Sequence, residues 1–63
     1  MSDLNQFLNK FVAIYTKHGE YIEGQLNQFD QFNNILLVLA KSQGQSFKTL
    51  MVSFQQIDFI GIQ

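Results

Sequence analysis

Nothing in this chain can staple it together. Its 63 residues include no cysteine, and the one histidine, His18, cannot complete a four-ligand structural metal site by itself. That is a severe constraint at this length, because so short a chain buries only about 60% of the surface that its unfolded form exposes. Small folds without disulfides or metals draw the missing stability from a partner subunit. Composition points the same way. The chain is 46% hydrophobic and only 14% charged, with seven Phe and two Tyr. One small core cannot hide all of that, so part of the apolar surface is expected to face another copy of the chain.

Several classes fall on elementary grounds. The length fits one domain over 1–63 and shows no linker or internal repeat. The longest apolar run, Ile35 to Ala40, is far short of the roughly 20 residues that cross a bilayer. No basic segment followed by an apolar stretch opens the chain, so no export signal is read and a cytoplasmic location is expected. Aromatic and β-branched content argues against disorder. Nine Gln and five Asn stand against nine formal charges, so the polar faces offer hydrogen bonds but little field.

The apolar spacing predicts one short helix and then five strands. Leu4, Phe7, Leu8 and Phe11 follow the i, i+3, i+4, i+7 stripe, which places a helix over 2–10 with Ser2 or Asp3 as its cap. Phe11 to Thr16 reads as a strand, and Lys17-His18-Gly19-Glu20 as a turn with Gly19 at a positive φ. Tyr21 to Phe29 alternates, and an isolated Gly24 within it marks a bend or bulge. Asp30 to Asn33 is a turn that Asp30 can fix by accepting backbone N–H groups. Ile35 to Leu39 is continuously apolar and reads as a strand buried on both faces. A polar loop over 41–45 precedes two further strands, 46–54 and 57–62, separated by Gln55-Gln56. A mostly β fold follows: a short N-terminal helix and a strongly bent five-stranded antiparallel sheet curled into a small barrel.

No constellation for catalysis is visible. His18 sits in a turn without a paired carboxylate or thiol, and the carboxylates have no nucleophile–base arrangement beside them. No catalytic residue, metal site or cofactor is therefore assigned.

The run GEYIEGQLNQFDQFNNILL carries a spacing of its own: Gly19, Gly24, Leu26, Phe29-Asp30 and then Asn34 before an apolar strand. It resembles the first signature of the Sm and Sm-like (LSm) proteins, and IEGQLNQFDQF is also similar to bacterial Hfq. The resemblance implies an SH3-like or OB-like Sm barrel, a homo-oligomeric ring of mostly six or seven subunits, and binding of short single-stranded U- or A-rich RNA. The shortened helix and altered second signature of this chain extend the expected range to five. It implies neither DNA nor membrane as a partner. The RNA-facing positions it implies are Asp30, Gln31, Phe32, Asn34 and Gln55. Phe32 would stack on a base, or else pack on a neighbouring subunit. Asn34 would offer its amide to the base edge, or else close its own turn. Asp30 would support the loop.

The second signature departs from the family. Sm proteins carry Arg-Gly near the last turn and Hfq carries Tyr-Lys-His, whereas Ser53, Phe54 and Gln55 stand here. With four Lys, no Arg and five acids, the chain lacks the basic patch that usually drives nucleic-acid binding. RNA would then be held by stacking and amide hydrogen bonds. The competing reading is a ring-forming structural or protein-interaction module that keeps the fold without RNA.

Overall fold

In the computed structural model, which describes residues 4–63, a 3-10 turn over Leu4–Phe7 precedes five strands. These are β1 (Phe11–Thr16), β2 (Tyr21–Phe29), β3 (Ile35–Ser42), β4 (Gln45–Val52) and β5 (Ile57–Ile62). All adjacent pairs are antiparallel and the order is β4-β3-β2-β1-β5. A second 3-10 turn, Phe54–Gln56, joins β4 to β5.

One face of the sheet closes on a single core. Val12, Ile14, Leu26, Ile35 and Leu37 are fully buried, with Ile22, Ala40, Val52 and Leu4 around them. Ile57 and Ile60 of β5 pack against the same cluster as Leu50 and Val52 of β4, so the two ends of the sheet curl toward each other. They do not pair. β4 and β5 each keep one free edge within the protomer.

The curl has a cause at Gly24. The β2–β3 register shifts between Glu23 and Gln25, and again between Leu26 and Gln28. A β-carbon on Gly24 would lie 3.0 Å from the Ala40 Cα and 3.2 Å from the Val38 carbonyl oxygen. Such contacts are with backbone, which cannot swing away, so only glycine lets the two strands approach this closely.

The first hairpin is closed by a side chain as well as by Gly19, whose φ is +84°. Buried Thr16 accepts the His18 and Glu20 amides at its Oγ1, at 3.2 and 3.1 Å. His18 lies in this solvated turn, outside the core.

Three expectations need correction. The N-terminal helix is a single 3-10 turn, because Asn9 takes a left-handed φ of 63° and its N–H bonds to the Leu26 carbonyl at 2.8 Å. That bond diverts the chain into the sheet before a second turn can form. Leu4, Phe7 and Leu8 still meet the core, but Phe11 begins β1 and is exposed. The capping role read for Ser2 or Asp3 lies outside the described residues. β3 is not buried on both faces. Ile35, Leu37 and Ala40 point inward, Leu36 and Val38 are half-buried, and Leu39 is exposed, because a single curled sheet covers only one of its sides. Finally, the polar loop shrinks to Gln43-Gly44, since strand pairing continues to Ser42↔Gln45.

Gly24→Val is expected to destabilise the fold by about 1–3 kcal/mol through overpacking against Ala40, read as a lower urea midpoint with an unchanged m-value. An unchanged midpoint would show that β3 can retreat without cost.

Candidate nucleic-acid interface

Two turns meet at one end of the sheet, the first between β2 and β3 and the second between β4 and β5. Asp30 organises the first. Its Oδ1 accepts the Phe32 amide at 2.8 Å and the Asn34 amide at 2.9 Å, and its Oδ2 accepts the Asn34 side-chain Nδ2 at 3.3 Å. A backbone pair completes the turn, with the Asn33 and Asp30 amides donating to the Asp30 and Asn34 carbonyls. Asn33 holds the left-handed φ of 65° that the reversal requires.

Asn34 links the two turns. Its Oδ1 accepts the Phe54 amide at 2.8 Å while its Nδ2 donates to Asp30. The side-chain amide is thus fixed at both ends, and its second N–H has no partner among the described residues. Turn closure and base reading, which stood as alternatives for Asn34, are compatible in one orientation.

Phe32 is 68% exposed at the tip of the first turn, and Phe54 is 41% exposed on the second. With Asn34, Ser53 and Gln55 they line one open cleft of about 420 Å³. No cation lines it. Of the positions read from the sequence, Phe32, Asn34 and Gln55 come together here, and Asp30 stands behind Asn34 as their support. Gln31 is exposed in the same turn but does not line the cleft. Phe54 and Ser53 were not among the candidates. Phe54 had a signal, being the one apolar residue within Ser53-Phe54-Gln55-Gln56, in a turn where burial is scarce.

The Asp30 carboxyl feels two opposed influences. Partial desolvation disfavours its charge, but the amides of Asn34 and Phe32 and the Asn34 side chain outweigh it and hold the carboxyl below its ordinary value of 3.8. A carboxyl lowered on folding contributes stability that is complete above its unfolded value and is lost as pH falls through the folded one. The turn should therefore be intact above about pH 4 and loosen below it. In Asp30→Asn a side-chain NH2 would face the Asn34 NH2, so the Phe54 amide should exchange faster at neutral pH and lose this acid dependence. Equal exchange in the two proteins would remove Asp30 from the clamp.

The LSM domain model matches residues 2–58. A probable U6 snRNA-associated Sm-like protein of Encephalitozoon cuniculi is 33% identical over 58 residues, covering 92% of this chain and 83% of that one. Among solved structures, the SmAP (LSm) protein of Methanococcus vannielii superposes with a TM-score of 0.85 at 27% identity, covering 94% of this chain and 87% of the other. A heptameric archaeal Sm protein gives 0.80 at 30% identity, covering 95% and 94%. The bent five-stranded sheet, the turn held by Asp30 and Asn34 and these matches agree, and the chain belongs to the LSM domain family.

Proposed function

We propose that this chain assembles into a homo-oligomeric ring and binds short single-stranded U- or A-rich RNA without catalysing a reaction. The observation that carries the RNA reading is the cleft lined by Phe32 and Phe54, with the fixed Asn34 amide as part of its lining. Two exposed rings on separate turns can take a flat base between them, and base–aromatic stacking is worth about 1–3 kcal/mol per base without any charge. The free Asn34 N–H can donate to a carbonyl or ring-nitrogen acceptor on that base. Five neutral lining residues mean that affinity comes from stacking and hydrogen bonding, with phosphate neutralisation a minor contribution.

Ring assembly is supported by the free edges. Unpaired β4 and β5 expose backbone donors and acceptors beside large apolar side chains, including Met51, Phe59 and Ile62. Edges of this kind are aggregation hazards unless they are paired. Pairing β4 of one copy with β5 of the next satisfies both and repeats until it closes. Within the expected range of five to seven subunits, the heptameric archaeal relative favours seven. A ring also brings one cleft per subunit to a common axis, so successive bases of one strand engage equivalent sites.

Phe32→Ala is expected to weaken binding of a labelled oligo-U by about 1–3 kcal/mol per stacked base, with native mass unchanged. The salt slope of the wild-type protein should be shallow. Equal affinity in the two proteins would reduce Phe32 to a packing residue. No binding by the wild-type protein at low salt would favour the structural-module reading. A stable 7.3 kDa species at micromolar concentration would contradict the ring itself.

A further inference from the structure

Four residues other than glycine hold a positive φ among the described residues: Asn9, Asn33, Leu39 and Gln43. Three carry amides, and the two Asn belong to the type that enters the left-handed region most readily. Leu39 does not belong with them. It lies inside β3 with a φ of 52°, at the register shift of the β2–β3 ladder, which passes from Gln25↔Val38 to Glu23↔Lys41 and leaves β3 one residue longer there. Its side chain is 67% exposed, while its neighbour Ala40 is fully buried. The bulge that lets β3 fit against Gly24 needs a residue with this φ, but not an aliphatic one. A strained backbone carrying an exposed leucine is a poor choice for folding alone and points to an external contact.

The surroundings give that contact a chemistry. Leu39, Ala40 and Phe47 form the apolar part of a groove of about 300 Å³, and Lys41, Lys48 and Ser46 complete its lining. Two of the chain's four lysines are here, and no acid among the described residues lines the groove. Glu23 stands opposite Lys41 in the β2–β3 ladder, yet its Oε1 accepts the Tyr21 hydroxyl at 2.9 Å and the Gln63 side-chain amide at 3.4 Å. Neither lysine ammonium has an ion-pair partner among the described residues.

We propose that this groove docks an acidic segment of a partner protein, seating one large apolar side chain against Leu39 and Phe47 while flanking carboxylates face Lys41 and Lys48. The volume suits one or two side chains, and the flanking charge selects anionic neighbours for them. A peptide fits better than RNA, because leucine offers no flat π face to a base and a phosphate backbone has no apolar group for Leu39 to bury. The proposed ring contact uses the edge backbone groups of β4, and the groove opens beside them, with Leu39, Lys41 and Lys48 exposed and Phe47 half-buried against the core opposite Ala40. Each subunit of a ring would present one copy, so a partner with repeated acidic segments would gain avidity.

The probe is a fluorescent octapeptide with a Leu-Phe pair set among Asp and Glu, titrated against the intact assembly while amide shifts are recorded. Shifts should centre on Leu39, Lys41, Phe47 and Lys48, and a peptide with the pair changed to Ser-Ser should bind at least tenfold more weakly. Leu39→Asn should weaken the acidic peptide at least fivefold while raising the melting temperature, a combination that a purely structural leucine would not produce. Joint Lys41→Glu and Lys48→Glu changes should abolish binding with native mass preserved. Shifts elsewhere on the surface, unchanged affinity in Leu39→Asn, or tighter engagement of the groove by oligo-U than by the peptide would each overturn the assignment. A concentration-dependent rise in mass that Leu39→Asn removes would show a second copy as the occupant, and would overturn it as well.

Discussion

The missing β-carbon at Gly24 is the constraint on which the architecture turns. It allows β2 to approach the Ala40 backbone closely enough for one sheet to wrap around its own core. A flat sheet of this length would leave Val52 and Ile60 far apart, yet both border the same cluster. The wrap also brings the β2–β3 turn to the β4–β5 turn, where the Asn34 side-chain Oδ1 accepts the Phe54 amide. Core, edges and cleft therefore share one origin. The chain has no cysteine for a disulfide and, among the described residues, no cluster that could hold a metal, so nothing of that kind compensates a failed curl. Its two free edges extend the same logic outward: in the proposed ring, strand pairing between copies completes a core too small to suffice alone.

The cleft itself works with neutral groups. Asp30 is its one charged support, and that charge is absorbed inward by the Phe32 and Asn34 amides. Outward it presents two rings and one fixed amide. An arrangement of this kind selects for a flat, hydrogen-bonding ligand and is indifferent to most of the phosphate charge. On the proposed reading, the altered second signature moves binding from cation-assisted contact toward stacking, with Phe54 in the turn where the resemblance to the family implies a cation.

Much of this was legible in the residues. Gly19, Gly24 and the Asp30 turn announced themselves through backbone needs that few other residues meet. The strand limits of β1, β2 and β5 followed from alternation and turn chemistry. What escaped depended on contacts distant in sequence. Asn9 ends the N-terminal turn by bonding to Leu26, and no local pattern shows that partner. The apolar run Ile35 to Leu39 conceals the bulge that turns Leu39 outward, because periodicity cannot separate a strand buried on both faces from a bulged strand carrying an exposed leucine. Phe54 was legible as an apolar oddity in a polar turn, but its place beside Phe32 required the fold.

The central claim is that a base is held between Phe32 and Phe54 by a clamp already formed in the free protein. A crystal structure of the assembled protein grown with a short uridine oligonucleotide tests it most directly. The account predicts a base between the two rings, within hydrogen-bonding distance of the free Asn34 N–H, and an Asp30–Asn34–Phe54 linkage unchanged from the free state. A nucleotide bound through the lysines with the cleft empty, or an Asn34 side chain turned away from Phe54 on binding, would contradict it.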